Sequence, residues 1–205
     1  MKGRAVLLGD NVKDEGFDWA QFQAAGSAPP SMEAVRSALA LGAVAGYRNS
    51  TNDAQSAYTQ VFLKGARTYV HLPRDRWPKH WGGKYDNPVV PLILALYGHP
   101  DAGSHWEEYC IAAVGRCGFE HLASDGWQSV FWHAVFRALL VVYVDDFLLA
   151  SPVGKEKEIW SALRKVIALG DPEPPDRFLG CYLRQFSAKA GDLQHVLELN
   201  PVLFP

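Results

Sequence analysis

Three cysteines, Cys110, Cys117 and Cys181, are all that 205 residues contain, and none stands in a CxxC pair. An odd, sparse set of this kind excludes a disulfide framework and a cysteine-built zinc site, and predicts reduced, buried thiols in an intracellular chain. Long hydrophobic runs are also missing. The longest is Ala138 to Val144, far short of a membrane span, so no membrane partner is expected. Near the N-terminus, Ala5 to Leu8 is too brief an apolar stretch for a signal peptide. Charge excess is absent as well: 20 Lys and Arg face 22 Asp and Glu, a net −2. The chain as a whole therefore carries no basic surplus of the kind that advertises a nucleic-acid partner. The seven histidines show no metal-ligand spacing. What remains, 48% apolar and 20% charged residues, excludes a disordered tail, a collagen-like rod or a charge-rich coiled coil.

The pattern along the chain mixes helices and strands without a regular βαβ alternation, which predicts an α+β fold in one domain. Ala5 to Leu8 reads as a short strand ending at Gly9. Ser31 is placed to cap a helix through Val35, Leu39 and Leu41 that stops near Gly46. Residues 47–60 give no clear pattern. Arg67 to Leu72 alternates like a strand, and Pro73 to Pro91 reads as a loop. Trp106, Cys110, Ala113 and Cys117 recur at helical spacing, predicting a helix from Ser104 to Arg116 that Gly118 ends. Ala138 to Val144, then Asp145-Asp146, then Phe147 to Ala150 reads as a tight hairpin with both acids at its tip. A helix is predicted from about Lys155 to Leu169, then a stiff acidic linker from Asp171 to Asp176. A second hairpin follows, with arms Phe178 to Phe186 and Leu193 to Leu199.

Asp145-Asp146 is the sharpest chemical feature. Adjacent carboxylates between apolar strands repel each other and lose hydration unless a cation sits on them. Mg²⁺, which takes carboxylate oxygens, is a natural partner; a solvated turn is the plainer alternative. A two-metal phosphoryl-transfer site needs a further carboxylate, and Asp53 is available, although alone it also suits a helix cap or turn.

Tyr143-Val144-Asp145-Asp146 resembles the YVDD signature of reverse transcriptases, specifically those of copia-type LTR retrotransposons. Leu96-Tyr97-Gly98 with Trp106 resembles the family's LYG…AW segment. Asp53-Ala54-Gln55-Ser56-Ala57-Tyr58 is similar to its DVxxAF segment, and Lys2-Gly3-Arg4-Ala5-Val6 to its KARLV start. Gly118-Phe119 with Asp125, and Phe178-Leu179-Gly180, follow in the family's order, so the resemblance covers about residues 2–199.

The resemblance implies a right-hand polymerase with fingers and palm, an antiparallel palm sheet on helices, and a missing or truncated thumb. Residues 1–50 and 61–95 would be fingers-like, 51–60 and 96–170 palm, and 177–199 a primer-grip-like hairpin. Asp53, Asp145 and Asp146 would be the catalytic carboxylates, holding two Mg²⁺ ions, with Mn²⁺ able to replace them. Lys2 and Arg4 would hold the incoming triphosphate. Tyr58 would be an aromatic gate against the ribose 2′-hydroxyl, and Tyr97 and Gly98 would line the nucleotide pocket. Tyr143 would abut the primer end, and Phe178, Leu179 and Gly180 would begin the primer grip.

The implied partners are an RNA or DNA template with its primer, deoxynucleoside triphosphates, and integrase and RNase H segments of a polyprotein. The implied location is intracellular, in cytoplasm or nucleus. The chain also departs from the family: His99-Pro100-Asp101-Ala102-Gly103-Ser104 stands where the family carries a Lys and a Pro-Arg pair. That loss of charge keeps a second expectation open, an inactive remnant that at most binds nucleic acid.

One stretch points to nucleic acid without the family. From Lys64 to Lys84, Lys64, Arg67, Arg74, Arg76, Lys79 and Lys84 face only Asp75, with Tyr69, Trp77 and Trp81 interleaved. Cations for phosphates among aromatic faces for bases make up a single-strand track. A solvated loop with tucked-in tryptophans has the same composition.

Overall fold

The computed structural model describes residues 6–9, 12–13, 29–123 and 127–183. Among these residues, three α-helices, α1 (Met32–Ala43), α2 (Ala102–Arg116) and α3 (Glu156–Leu163), accompany nine strands. The strands are β1 (Tyr47–Asp53), β2 (Tyr69–His71), β3 (Val89–Pro91), β4 (Glu120–His121), β5 (Val130–His133), β6 (Ala138–Tyr143), β7 (Asp146–Pro152), β8 (Arg177–Phe178) and β9 (Cys181–Tyr182). Five of them form one antiparallel sheet in the order β1-β7-β6-β5-β4, and β2-β3 and β8-β9 form separate two-stranded ribbons.

The central strands owe their place to alternation on an apolar background. Successive side chains of a strand point to opposite faces. On β6, Leu140 and Val142 enter the core beneath α2 and α3, while Leu139 and Val141 enter the core beneath α1. On β7, Phe147 and Leu149 take the first side and Leu148 and Ala150 the second. Both faces are covered, so a continuous apolar run, rather than an in–out pattern, is what these strands require. Each fully buried Leu or Phe contributes about 1.5–3 kcal/mol by leaving water.

The edge strand β1 is different. Its sequence, YRNSTND, has no apolar period, yet Ser50 and Asn52 are buried. Cross-links satisfy them: Trp160 Nε1 of α3 donates to Ser50 Oγ at 2.9 Å, and Asn52 Nδ2 donates to the Gly170 carbonyl at 3.3 Å. Buried polar groups persist only when paired in this way.

Several expectations are corrected. The unclear stretch 47–60 is β1 followed by a short 3-10 helix, Ala57–Gln60. The helix expected to run to Leu169 ends at Leu163, because the chain must turn back to the sheet: Leu169 bridges Ala54. The acidic stretch 171–176 is no free linker. Glu173 and Thr51 exchange backbone hydrogen bonds of 2.9 Å, which covers the outer edge of β1. The second hairpin turns within its expected first arm: Arg177 pairs with Tyr182 and Phe178 with Cys181 around Leu179-Gly180. Both turn residues have positive φ, 49° and 78°, which fits a tight two-residue turn. Residues 184–199 lie outside the described residues. Residues 6–8 form no regular strand, and β4 and β5 occupy a stretch with no sequence expectation. Cys110 is buried as expected, but Cys117 is only half-buried and Cys181 is exposed. No helix among the described residues is long and apolar enough to cross a membrane.

The Ser31 cap is present, its hydroxyl accepting the Ala34 N–H at 3.2 Å. Ser31→Ala is therefore expected to lower stability by about 1 kcal/mol, read as a shift in the urea midpoint.

His99 ties two elements together. Its Nδ1 accepts the Asp101 N–H at 3.1 Å, so that nitrogen is unprotonated, and its Nε2 lies 3.1 Å from the Thr68 hydroxyl ahead of β2. Burial holds its pKa below the ordinary 6.5, opposed by Asp101 and aided by His105. The unfolded chain therefore binds the proton more readily than the folded one. The stabilisation is complete above about pH 6.5 and is lost as pH falls below it. Melting temperature is expected to fall between pH 7.5 and 5.5, with part of that fall absent in His99→Gln.

Candidate active site at the tip of the central hairpin

Strands β6 and β7 are joined by only Val144 and Asp145, with Tyr143 and Asp146 facing each other as the last pair. The two acids thus stand at the tip, as the sequence predicts. The register of β1 on β7 adds the third. Asp53 is the partner of Asp146, at the same end of the sheet. One residue further on, the Ala54 N–H donates to the Asp145 carbonyl at 2.7 Å. Asp53, Asp145 and Asp146 therefore converge from two remote segments. A slip of one residue in β1 would turn the Asp53 side chain to the other face of the sheet.

The electrostatics record this convergence. Burial, then the charge of Asp145, then that of Asp53, raise the Asp146 pKa above the ordinary carboxylate value. Arg177 and a hydrogen bond from the Leu179 N–H oppose the rise. The β8–β9 hairpin thus reaches the acids through its turn, while Phe178 anchors it in the core beneath α1.

An aromatic wall stands beside the acids. The rings of Tyr58 and Tyr97 lie 4.6 Å apart at 56°. The Tyr58 hydroxyl has a raised pKa, through burial first and then Tyr97, Asp145 and Tyr143. Gly98 follows Tyr97 at φ 89°, and a Cβ there would meet the Leu7 carbonyl oxygen at 2.0 Å. Glycine is required twice over, by its conformation and by this close approach. The Leu7 N–H also donates to the Tyr97 carbonyl at 2.7 Å, so the segment at Leu7 runs against this wall. Lys2, Arg4 and Asp125 lie outside the described residues.

Left-handed backbone gathers here too. Four non-glycine residues among those described have positive φ: Ser56, Arg137, Val144 and Leu179. Three of them flank the acids. Such a conformation costs of order 1–3 kcal/mol and persists only where surrounding contacts hold it. At Val144 the contact is visible: Trp106 Nε1 on α2 donates to its carbonyl at 2.7 Å.

The cations of the basic stretch stand on loops and on two short 3-10 turns, Arg74–Arg76 and Lys79–Trp81, between β2 and β3 or just before β2. Lys64 is engaged with Glu108 of α2 at 2.8 Å, and Arg76 with Asp75 at 3.2 Å. Arg74 lies over the Trp77 ring, and Arg67 and Lys79 are exposed. Trp77, Trp81 and Tyr85 meet edge to face, with centroids 6.3 and 5.7 Å apart. Trp77 and Trp81 are half-buried, while Tyr69 and Tyr85 are exposed. The stretch therefore has half-buried tryptophans beside exposed cations.

Sequence reasoning missed the Trp106 and Leu179 contacts and the charge of Arg177. Trp106 and Leu179 lie in segments that the sequence marks and Arg177 does not, but none of these contacts can be read there, because each acts through a backbone group or a neighbour brought in by folding. Among the described residues, no group of three or more His, Cys, Asp or Glu side chains is arranged to hold a metal ion. No protein-family model matches the chain, and no curated protein matches it.

Proposed function

We propose that the chain is a fingers–palm core of a copia-type reverse transcriptase, an RNA-directed DNA polymerase that transfers nucleotides to a primer 3′-hydroxyl. The observation that carries the reading is the pairing of Asp53 with Asp146 beside Asp145, which gathers in space the acids of two separate motifs. The donor set fits Mg²⁺. It offers hard oxygens, and a cation would offset the burial and the repulsion from Asp145 and Asp53 that raise the Asp146 pKa. Mg²⁺ is commonly held by one or two carboxylates together with substrate phosphates, so a closed protein cage is not required.

In this reading Asp53 and Asp145 are the main metal ligands, with Asp146 beside them. Two bound ions would lower the pKa of the primer hydroxyl and neutralise the departing pyrophosphate. Tyr58 and Tyr97 form the wall against the nucleotide sugar, where a 2′-hydroxyl would collide with Tyr58. Tyr143 abuts the primer end, and the turn at Phe178-Leu179-Gly180 aligns it. Arg67, Arg74, Arg76 and Lys79 follow the backbone of template or primer, and Lys64 joins them when released from Glu108. Lys2 and Arg4 take the triphosphate. The fingers assignment of residues 61–95, the polyprotein partners integrase and RNase H, and the location in cytoplasm or nucleus belong to the same proposal.

Primer extension on an RNA template with Mg²⁺ and deoxynucleoside triphosphates tests it. Extension that EDTA abolishes is the expected result. The engagement of Lys64 with Glu108 and the missing cations after Gly98 favour a second reading, an inactive remnant that binds nucleic acid. That reading gives binding without extension, indifferent to Mg²⁺.

A further inference from the structure

We infer that Trp106 is a positioning residue for the Asp145 carboxylate, acting through the carbonyl of Val144. Two peptide groups flank the Asp145 Cα. The carbonyl of the first, on Val144, accepts the Trp106 indole N–H at 2.7 Å. The carbonyl of the second, Asp145's own, accepts the Ala54 N–H at 2.7 Å. With both peptide planes held, the backbone of Asp145 cannot turn and the direction of its Cα–Cβ bond is set. One anchor comes from α2 and the other from the residue that follows Asp53. The same pair of bonds therefore fixes the hairpin tip relative to the end of β1.

The tip needs such an anchor because Val144 has φ 52°. A β-branched residue in that conformation is strained, and a tip free to relax would return Val144 to the extended region. That relaxation rotates the Val144–Asp145 peptide and re-aims the carboxylate. Trp106 is 1% exposed, so its N–H would go unpaired without this carbonyl, which makes the bond costly to break from either side. Outer contacts that orient ligand residues typically change metal affinity by about 10–100-fold.

Trp160 supplies an internal control. It is equally buried, packs in the same core, and donates its indole N–H to Ser50 rather than to the tip. Trp106→Phe and Trp160→Phe make the same chemical change in that core. The geometric inference stands on the hydrogen bonds alone; its consequence for metal affinity rests on the polymerase reading.

Nuclear magnetic resonance of the metal-free chain, followed by Mn²⁺ titration, separates the two. In the wild type, a coupling through the hydrogen bond between Trp106 Nε1 and the Val144 carbonyl carbon is expected. Trp106→Phe should shift the Asp145 and Asp146 resonances, speed their amide exchange, and weaken Mn²⁺ binding by about tenfold, while Trp160→Phe, whose bond is to Ser50 of β1, leaves the resonances and exchange of the tip near wild type. Absence of the coupling overturns the inference, and this readout needs no variant to fold. So do tip resonances unmoved in Trp106→Phe, or moved equally in Trp160→Phe. If the wild type binds no Mn²⁺ but the tip responds to Trp106→Phe alone, the polymerase reading fails and the positioning role stands.

Discussion

Replacing Asp145 and Asp146 together by Asn should abolish primer extension while leaving the chain folded. The two expectations have one cause. The carboxylates crowd one another and Asp53 at the end of the sheet, and burial with that crowding raises the Asp146 pKa. A group whose pKa is raised on folding opposes folding in its charged form. That penalty is absent below the unfolded pKa and grows as pH rises through the folded value. At neutral pH the neutral amides remove it, and an Asn at 146 retains an oxygen for the Leu179 N–H. The melting temperature of the double variant should therefore match or exceed that of wild type at pH 7.5. The advantage should vanish near pH 3.

Activity should move the other way. Metal stabilisation of phosphoryl-transfer charge is worth several kcal/mol, and each 1.36 kcal/mol is tenfold in rate, so extension should fall by roughly a thousandfold or more. Extension persisting in a folded double variant would show that these acids do not carry the chemistry. A double variant that melts well below wild type would show instead that the acids stabilise the tip.

The second large effect is on stability. Phe147 follows Asp146 directly and is fully buried beneath α2 and α3, facing Val142 on one side and Asn52 on the other. Phe147→Ala should cost about 3–5 kcal/mol, the transfer of the ring plus the void it leaves. Against a typical total of about 5–15 kcal/mol, that is a large fraction of the fold's stability. The urea midpoint should drop steeply with the slope of the transition unchanged. A loss under about 1 kcal/mol would mean that the hairpin is not the centre of the core. The pairing also ties the acids to the core: the residue after Asp146 is fully buried in it.

How legible the structure was in the sequence depended on where the deciding forces act. The β6–β7 hairpin was legible because its strands are apolar on both faces and its tip is polar, a local contrast of a few residues. The α2 helix was legible because Trp106, Cys110 and Ala113 repeat at the helical period and end at a glycine whose φ is 88°. Helix α3 was overextended because Val166 and Ile167 continue its apolar spacing. Those side chains are also wanted by the core, and the return of Leu169 to pair with Ala54 ends the helix six residues early. The turn inside the first arm of the second hairpin is not legible, because Leu179 offers no sign that it takes a left-handed conformation.

For the candidate site, the residues themselves determined one half. Tyr143 to Asp146 place two acids on a tight turn between apolar strands. The other half was settled in three dimensions. Whether Asp53 joins the pair depends on a polar strand with no periodic signal, held at the sheet edge by Trp160, Gly170 and Glu173 from distant parts of the chain. Whether the tip is rigid depends on an indole from α2 and an amide from beyond β1. Periodicity and turn chemistry act over a few neighbours and can be read along the chain. Register and the pairing of buried polar groups are settled only when remote segments meet.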